Sequence, residues 1–428
     1  MIDRAVAEAV MRDVIAACDP ATRVREALGD PEVAARLAGR RRFALAVGKA
    51  ALAMARGAGE VVEGVAVVPS GAGAGGELPR GWRLLEAAHP EPDERSVAAG
   101  RALQALVRIP REPEVILALM SGGASALAEL PLIGLDDFVA TVRAVMAAGA
   151  AIDEINAVRG ALSAIKAGRL ALAAPAPIVT LAISDVIGDS LAVIGSGPTI
   201  GPWLAVPGGA GDGVAALRSR ARAILERHGV AVPAVLAGEL DARDSERAIA
   251  AVAEPSVRRS DLAVVIAPMA SAAQAAVRAL AARGIAATLV EAPMAGDVSA
   301  VAHALATRHA AGAAIVAWGE PTLRVPPVHG AGGRAQQLAL VLAGWLRGTA
   351  RSALVIGTDG IDGPPPPDRP APAGAWVDGT TWDRIIAADR DPAAALATCD
   401  AGAALAAAGA LVVTGPSGIN HADLAIVG

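Results

Sequence analysis

The stretch that most constrains this chain is Glu114 to Leu127, EVILALMSGGASAL. Val115 to Met120 is an unbroken apolar run of strand length, which suits a strand covered on both faces of a parallel sheet. It turns at Ser121-Gly122-Gly123 and enters a helix start at Ala124-Ser125-Ala126-Leu127. Two glycines permit a tight turn and let a ligand approach the backbone. The helix behind them aims free N–H groups and its positive dipole end at whatever sits there. Ser121 and Ser125 add hydroxyl donors. The stretch reads as a cradle for phosphate or carboxylate; a strand–helix turn without a ligand is the plainer alternative.

The same alternation recurs along the chain and predicts the α/β class. Phe43 to Val47 is a short strand, Gly48-Lys49 a turn, and Ala50 to Val62 a helix. Lys49 therefore stands at the carboxyl end of a strand, where ligands of open α/β sheets bind. The loop is neither a Walker A sequence nor GxGxxG. The next strand, Val65 to Val68, ends in Pro-Ser-Gly, with no acidic residue to hold a ribose, which disfavours a nicotinamide site. Trp82 to Ala87 is a strand followed by His89-Pro90-Glu91-Pro92-Asp93, where His89 is either a site residue or a turn residue. Helices are expected over Ser96 to Val107 and Leu135 to Ala148. Ile178 to Ile183 is a strand ending in Ser184-Asp185-Val186-Ile187-Gly188-Asp189-Ser190, followed by Gly195-Ser196-Gly197-Pro198-Thr199. Two aspartates four apart in such a loop look like ligands for a hard cation; Asx-turn and capping chemistry is the alternative.

Residues 200 to 260 look like a boundary, with Gly/Pro-rich 205–213, a helix at 214–228 and a charged stretch at 239–248. The expected domains are 1–240 and 241–428, the first opening with helical residues 1–42 that are free to pack elsewhere. A second run follows: strand Leu262 to Ala267, helix 270–283, strand 286–290, helix 297–311, and strand Ala313 to Trp318 ending at Gly319-Glu320. Gly332-Gly333-Arg334 then opens a helix, a second candidate anion site in which arginine could clamp a phosphoryl group. Ala353 to Ile356 is a strand ending in Gly357-Thr358-Asp359-Gly360, and the Pro-rich 364–372 follows as an exposed turn.

Composition sharpens the choice of residues. Of 38 basic residues only two are lysine, Lys49 and Lys166, and the only asparagines are Asn156 and Asn420. Arginine does the routine surface work, so a retained lysine points to a need for its compact point charge; chance survival is the alternative. Asn156, Arg159, Ser163 and Lys166 recur every three or four residues and would share one helix face, an anion-binding stripe or a solvated face. A net charge of −5 and 2% aromatics, with no tyrosine, exclude a nucleic-acid footprint. Cys18 and Cys399 form no metal or CxxC pattern, so a reducing cytoplasm is the default. No uninterrupted apolar stretch of about 18 residues suggests a membrane span.

Together these motifs resemble the glycerate 2-kinase family, whose C-terminal half carries the MOFRL domain. The likeness rests on VGKA at 47–50, HPEPDERS at 89–96, SGGASAL at 121–127 and EINAVRGALSAIKAGRLA at 154–171. It continues through SDVIGDSLAVIGSGPT at 184–199, GGRAQQLAL at 332–340, GTDGIDG at 357–363 and TGPSGIN at 414–420. The resemblance implies two doubly wound, Rossmann-like α/β domains with a cleft between them, making 2-phosphoglycerate from glycerate and ATP with Mg2+. It assigns catalysis to Lys49 and Arg334, and Asp189 is the candidate base. Ser121, Gly122, Gly123, Ser125, Asn156, Arg159, Lys166, Ser196 and Gly197 are expected to hold substrate or phosphate. Gly332, Gly333, Thr358, Asp359, Gly360 and Asn420 are expected at the nucleotide, with Asp185, Asp189 and Glu320 at the metal. A cytoplasmic enzyme acting on small molecules is implied, with a homodimer left open. The sequence departs from the family at Ala124 (usually glycine), Ala335 (usually asparagine), Trp318, Ile419 and Ala422 (usually asparagine), and in the Val68-Pro69-Ser70-Gly71 loop. Two rivals remain: an NAD(P)-dependent hydroxypyruvate or tartronate reductase, and a non-catalytic metabolite-binding relative.

Overall fold

The computed structural model describes residues 2–75, 77–201, 213–237, 261–308, 312–364 and 370–428. The charged stretch 239–248 lies outside these residues, as do most of 205–213, the middle of 364–372 and the end of the helix expected over 297–311. The chain divides into two compact units, Pro20–Ala267 and Met1–Asp19 with Pro268–Gly428. Among the described residues, each carries one six-stranded sheet.

The first sheet is built from β1 (Arg42–Val47), β2 (Glu63–Pro69), β3 (Trp82–Ala87), β4 (Val115–Met120), β5 (Ile178–Ile183) and β6 (Leu262–Ala267). Their order is β3-β2-β1-β4-β5-β6 and every pair is parallel. β4 and β5 are buried along their whole length, as the continuous apolar runs require. The chain winds outward from β1 through β2 to β3, then returns to the other side of β1 with β4. Sheets of this order bind ligands at the carboxyl ends of the strands where the order reverses, here between β1 and β4. Gly48-Lys49 and Ser121-Gly122-Gly123 are the two turns that leave those ends. β6 corrects an expectation. Sequence order groups it with the second run of elements, but it pairs with β5 from Val179↔Leu262 onward. An apolar run has the same pattern whichever sheet it joins.

The second sheet contains β7 (Ala287–Leu289), β8 (Ala314–Gly319), β9 (Ser352–Gly357), β10 (Gly374–Asp378), β11 (Leu411–Val412) and β12 (Asp423–Val427), in the order β11-β10-β9-β12-β8-β7. Here β12 runs antiparallel to both neighbours, β8 and β9, and β10 is antiparallel to β9. The α/β class holds for both sheets, but this one is mixed. Side chains alternate between its faces with period two. Val355 and Ala425 pack with Leu338 and Leu342 of the helix Arg334–Leu346. Leu354, Ile356 and Ile426 pack with Ala276 and Leu280 of the helix Ser271–Ala281, and with Val10 and Val14 of the helix Arg4–Ala17. That last contact explains why the amino-terminal helix joins the carboxy-terminal unit. Among the described residues no helix is long and apolar enough to cross a membrane.

Candidate active site

In the unit Pro20–Ala267 the two turns at the reversal point are stitched together. The Lys49 amide donates to the Gly122 carbonyl at 2.9 Å, and the Ser121 amide to Val47 O at 3.0 Å. The Ser121 hydroxyl, fully buried, accepts from the Ala50 amide at 3.1 Å. It therefore caps the start of the helix Ala51–Ala58, a structural task for a hydroxyl expected to face a ligand. Gly48 is obligatory: its φ is +131°, and a Cβ there would lie 2.5 Å from Ser121 O. A Cβ at Gly123 (φ +83°) would meet His89 Nε2 at 3.2 Å and Lys49 Cγ at 3.5 Å. Lys49, Gly123 and His89 thus converge on one spot, with Lys49 half-buried. The sequence leaves His89 open between a site residue and a turn residue; it follows β3, which lies two places from β1 in the sheet, so only folding brings it here.

Ser125 and Ser196 share a hydrogen bond of 2.9 Å, which ties the SGGASAL turn to the Gly195-Ser196-Gly197 loop. A Cβ on Gly195 would meet that of Ala124 at 3.0 Å, so the alanine that departs from the family fills space against this loop. Asp185 and Asp189 are half-buried in the turn leaving β5, next to β4 in the sheet. Asp189 takes φ +52°, uncommon for an L-residue.

The expected stripe of Asn156, Arg159, Ser163 and Lys166 does not form. The helix Ile152–Ala161 ends before Ser163, so only Asn156 and Arg159 share its face. Both are half-buried. Arg159 lies in the fields of Glu129 and Glu91, with burial as the larger influence, lowering its pKa. Lys166 is 1% exposed and forms an ion pair with Glu129, itself 1% exposed. Burial pushes the lysine pKa down against that attraction. The missed partner, Glu129, left no signal in the sequence; it is one of 43 acidic residues.

In the other unit the mixed sheet creates the cluster. Because β12 is antiparallel, its first residue, Asp423, pairs with Gly319 and Gly357, the last residues of β8 and β9. Glu320, Thr358 and Asn420 are carried to the same edge. Thr358 is fully buried, and its hydroxyl accepts from the His421 amide at 2.8 Å and donates to Ala422 O at 2.7 Å. Ala422 has φ +57°, a conformation in which the family's asparagine is tolerated better than alanine. Gly332 and Gly333 differ from the expected open cradle. The Ala335 and Gln336 amides at the helix start donate to the Asp362 carboxylate at 3.0 and 2.8 Å, and a Cβ on Gly333 would collide with Asp362. That N-terminus is already occupied by an internal anion.

Arg334 opens the same helix, forms an ion pair with Glu320, and has Nε 3.5 Å from Asp423 Oδ2. Asp423 is 4% exposed, and among the described residues Oδ2 accepts no hydrogen bond. Burial, supplemented by the charges of Asp362, Glu320 and Asp359 and opposed by Arg334, pushes its pKa up to about 8. Its ordinary value is about 3.9. A folded-state pKa above the unfolded one favours folding at low pH, and this contribution is lost as pH rises from about 4 through about 8. Asp423→Asn should therefore flatten the stability profile, losing less than the parent between pH 5 and pH 9 in denaturant unfolding. Parallel profiles would reject the raised pKa.

No group of three or more His, Cys, Asp and Glu side chains arranged for a metal occurs among the described residues. Asp185 and Asp189 belong to one unit and Glu320 to the other.

Comparison with known proteins identifies the family. Residues 6–234 match the domain of unknown function DUF4147, and residues 313–423 match the MOFRL family. The D-glycerate 2-kinase of Thermotoga maritima is 34% identical over 89% of this chain and 89% of its own. A putative hydroxypyruvate reductase of Agrobacterium vitis is 35% identical over 80% of this chain and 76% of its own. The crystal structure of a glycerate kinase from Thermotoga maritima superposes with a TM-score of 0.81 at 31% identity, covering 99% of this chain and 98% of that one. With its DUF4147 and MOFRL regions in that order, the chain belongs to the glycerate 2-kinase family.

Proposed function

We propose that this chain transfers the γ-phosphoryl group of ATP to a hydroxyl of glycerate or a close sugar acid, with 2-phosphoglycerate the expected product. The observation that carries the proposal is the meeting of Lys49, Gly123 and His89 where the parallel sheet reverses its order, in a chain whose relatives are named glycerate kinases. Phosphoryl transfer asks the protein mainly for positioning and positive charge. Lys49 supplies a point charge for the transferring group, with the Gly122-Gly123 turn beside it. Asn156 and Arg159 are assigned to the substrate carboxylate. Ser125, Ser196 and Gly197 form the neighbouring wall. Asp189 is the proposed base for the acceptor hydroxyl. In the second unit Arg334, held between two carboxylates, is assigned to nucleotide phosphates, with Asp359, Gly360 and Asn420 alongside.

Magnesium commonly binds through one or two carboxylates together with phosphate oxygens and water. The half-buried Asp185 and Asp189 fit that donor set without a three-residue cage; Asp185 is the proposed ligand, and Asp189 is reserved for the proton of the acceptor hydroxyl. When bound, the ion would neutralise charge on the phosphate oxygens.

The Agrobacterium relative's name motivates a second reading, reduction of hydroxypyruvate. A coupled ADP-release assay with glycerate, tartronate and hydroxypyruvate, run beside an NADH-absorbance assay, separates the two. ADP release that depends on an acid acceptor is the expected result. NADH oxidation by hydroxypyruvate without ADP release would overturn the kinase.

A further inference from the structure

The carboxy-terminal unit contains a pocket of about 190 Å³ to which the roles above give no occupant. It is below the ~300–1,000 Å³ usual for whole drug-sized ligands, so it suits one ring system better than a complete nucleotide. Pro372, Leu411 and Val413 line it, together with Ala403 and Ala406. The two alanines are three apart on the helix Ala401–Ala407 and share a face. Val413 is 52% exposed. Among the described residues no charged side chain lines the pocket. The described lining is thus largely apolar and suits a flat ring.

One polar group does line it, the side-chain amide of Gln336. Its Nε2 is committed to Asp362, donating to the carbonyl at 2.7 Å and to Oδ2 at 2.9 Å. That commitment fixes the amide and turns Oε1 the other way. A Cβ on Gly402 would meet Oε1 at 2.9 Å and one on Gly332 at 3.6 Å, so Oε1 lies between two glycines of the pocket wall. Among the described residues no hydrogen bond reaches it. Gly332 is two residues from Arg334, at most about 7 Å along the chain. An occupant of the pocket is thus within molecular reach of the guanidinium.

We infer that this pocket takes the purine base of the nucleotide co-substrate, with Gln336 Oε1 accepting a hydrogen bond from the exocyclic amino group of adenine. Guanine presents a carbonyl at that position and would face oxygen with oxygen, so ATP is preferred to GTP. This inference rests on the kinase reading and names where and how its nucleotide is recognised.

The test is Ala406→Phe, which fills the pocket from a half-buried helix position, with Arg278→Lys, exposed on the helix Ser271–Ala281, as the control. ADP binding is measured by calorimetry without acceptor, and steady-state kinetics are run on the same preparations. Ala406→Phe should weaken ADP binding and raise KM for ATP by about tenfold or more, equivalent to ~1.4 kcal/mol. KM for the acid and kcat at saturating ATP should change little, and Arg278→Lys should match the parent. The parent should bind GDP more weakly than ADP; equal affinity would overturn the Gln336 assignment. If Ala406→Phe keeps its melting temperature and binds ADP like the parent, the pocket is not the base site, while acceptor-dependent ADP release would leave the kinase standing. If ADP binding is lost in Ala406→Phe but the parent turns over no acid, the kinase fails and the base site holds. Should Ala406→Phe melt far below the parent, Ala403→Leu narrows the same face and carries the same readouts.

Discussion

Lys49→Arg should lower turnover about 10²-fold while leaving the melting temperature nearly unchanged. The lysine follows Gly48 at the reversal point of the first sheet, and its backbone is pinned to Gly122 at 2.9 Å. Its side chain passes Gly123, where a Cβ would lie 3.5 Å from Lys49 Cγ and 3.2 Å from His89 Nε2. A larger, planar head in that space must displace its charge, and misplacement by ~1 Å can cost ~10² in rate. Lys49→Ala removes the charge altogether and should cost about 10²–10³, the range seen when one transition-state donor is deleted. The control is Arg278→Lys on the exposed face of the helix Ser271–Ala281, which should change neither rate nor stability. Single-turnover measurement separates the chemical step from ATP binding. Parent-like turnover in Lys49→Arg would mean that any positive charge suffices and that the lysine is incidental.

The second lysine should behave in the opposite way. Lys166→Met should destabilise the fold by about 3–5 kcal/mol, because Glu129 is left charged and buried without its partner. Lys166 and Glu129 are each 1% exposed, so no solvent relieves the loss. The ammonium also donates to Ala128 O at 3.4 Å, and Glu129 Oε1 accepts from the Leu130 amide at 2.9 Å. These bonds fasten the segment after the SGGASAL helix to the loop that precedes the helix Arg169–Ala173. Replacing both members, Glu129→Leu with Lys166→Met, should recover most of the stability, since a buried pair exchanged for apolar side chains of similar volume is often neutral. Denaturant unfolding of the two single variants and the double variant measures the cycle. A Lys166→Met protein of parental stability with a raised KM for the acid would restore the lysine to the substrate and overturn the ion-pair reading.

The two lysines show where sequence reasoning reached and where it stopped. Their scarcity marked both as needed, and both are placed specifically. Scarcity carries no information about whether the need is chemical or structural; only the burial of Lys166 beside Glu129 decides that. The three- and four-residue spacing that put Lys166 on one face with Asn156 assumed a helix continuing past Ala161, and the chain leaves the helix there.

Strand identity was legible where apolar runs were continuous. Val115–Met120 and Ile178–Ile183 are strands buried along their whole length, because burial on both faces selects runs that are almost entirely apolar; Leu262–Ala267 was legible as a strand, though it is the half-buried edge of the first sheet. The turns after the strands of the first sheet were legible for a related reason: ligand approach and tight reversal both select glycine, and Gly48, after β1, is needed against Ser121. Strand order was not legible, since pairing depends on contacts between segments far apart in the chain. The return of β4 beside β1, the pairing of β6 with β5 and the antiparallel insertion of β12 are such contacts. They decide the site. The first sets Lys49 against Gly123, and β12 carries Asp423 to Arg334. The fold likewise gives Asp362 the helix N-terminus that its glycines and arginine had suggested for a ligand. Composition selected the chemical groups; the tertiary structure decided which of them meet and which are already used in holding the fold together.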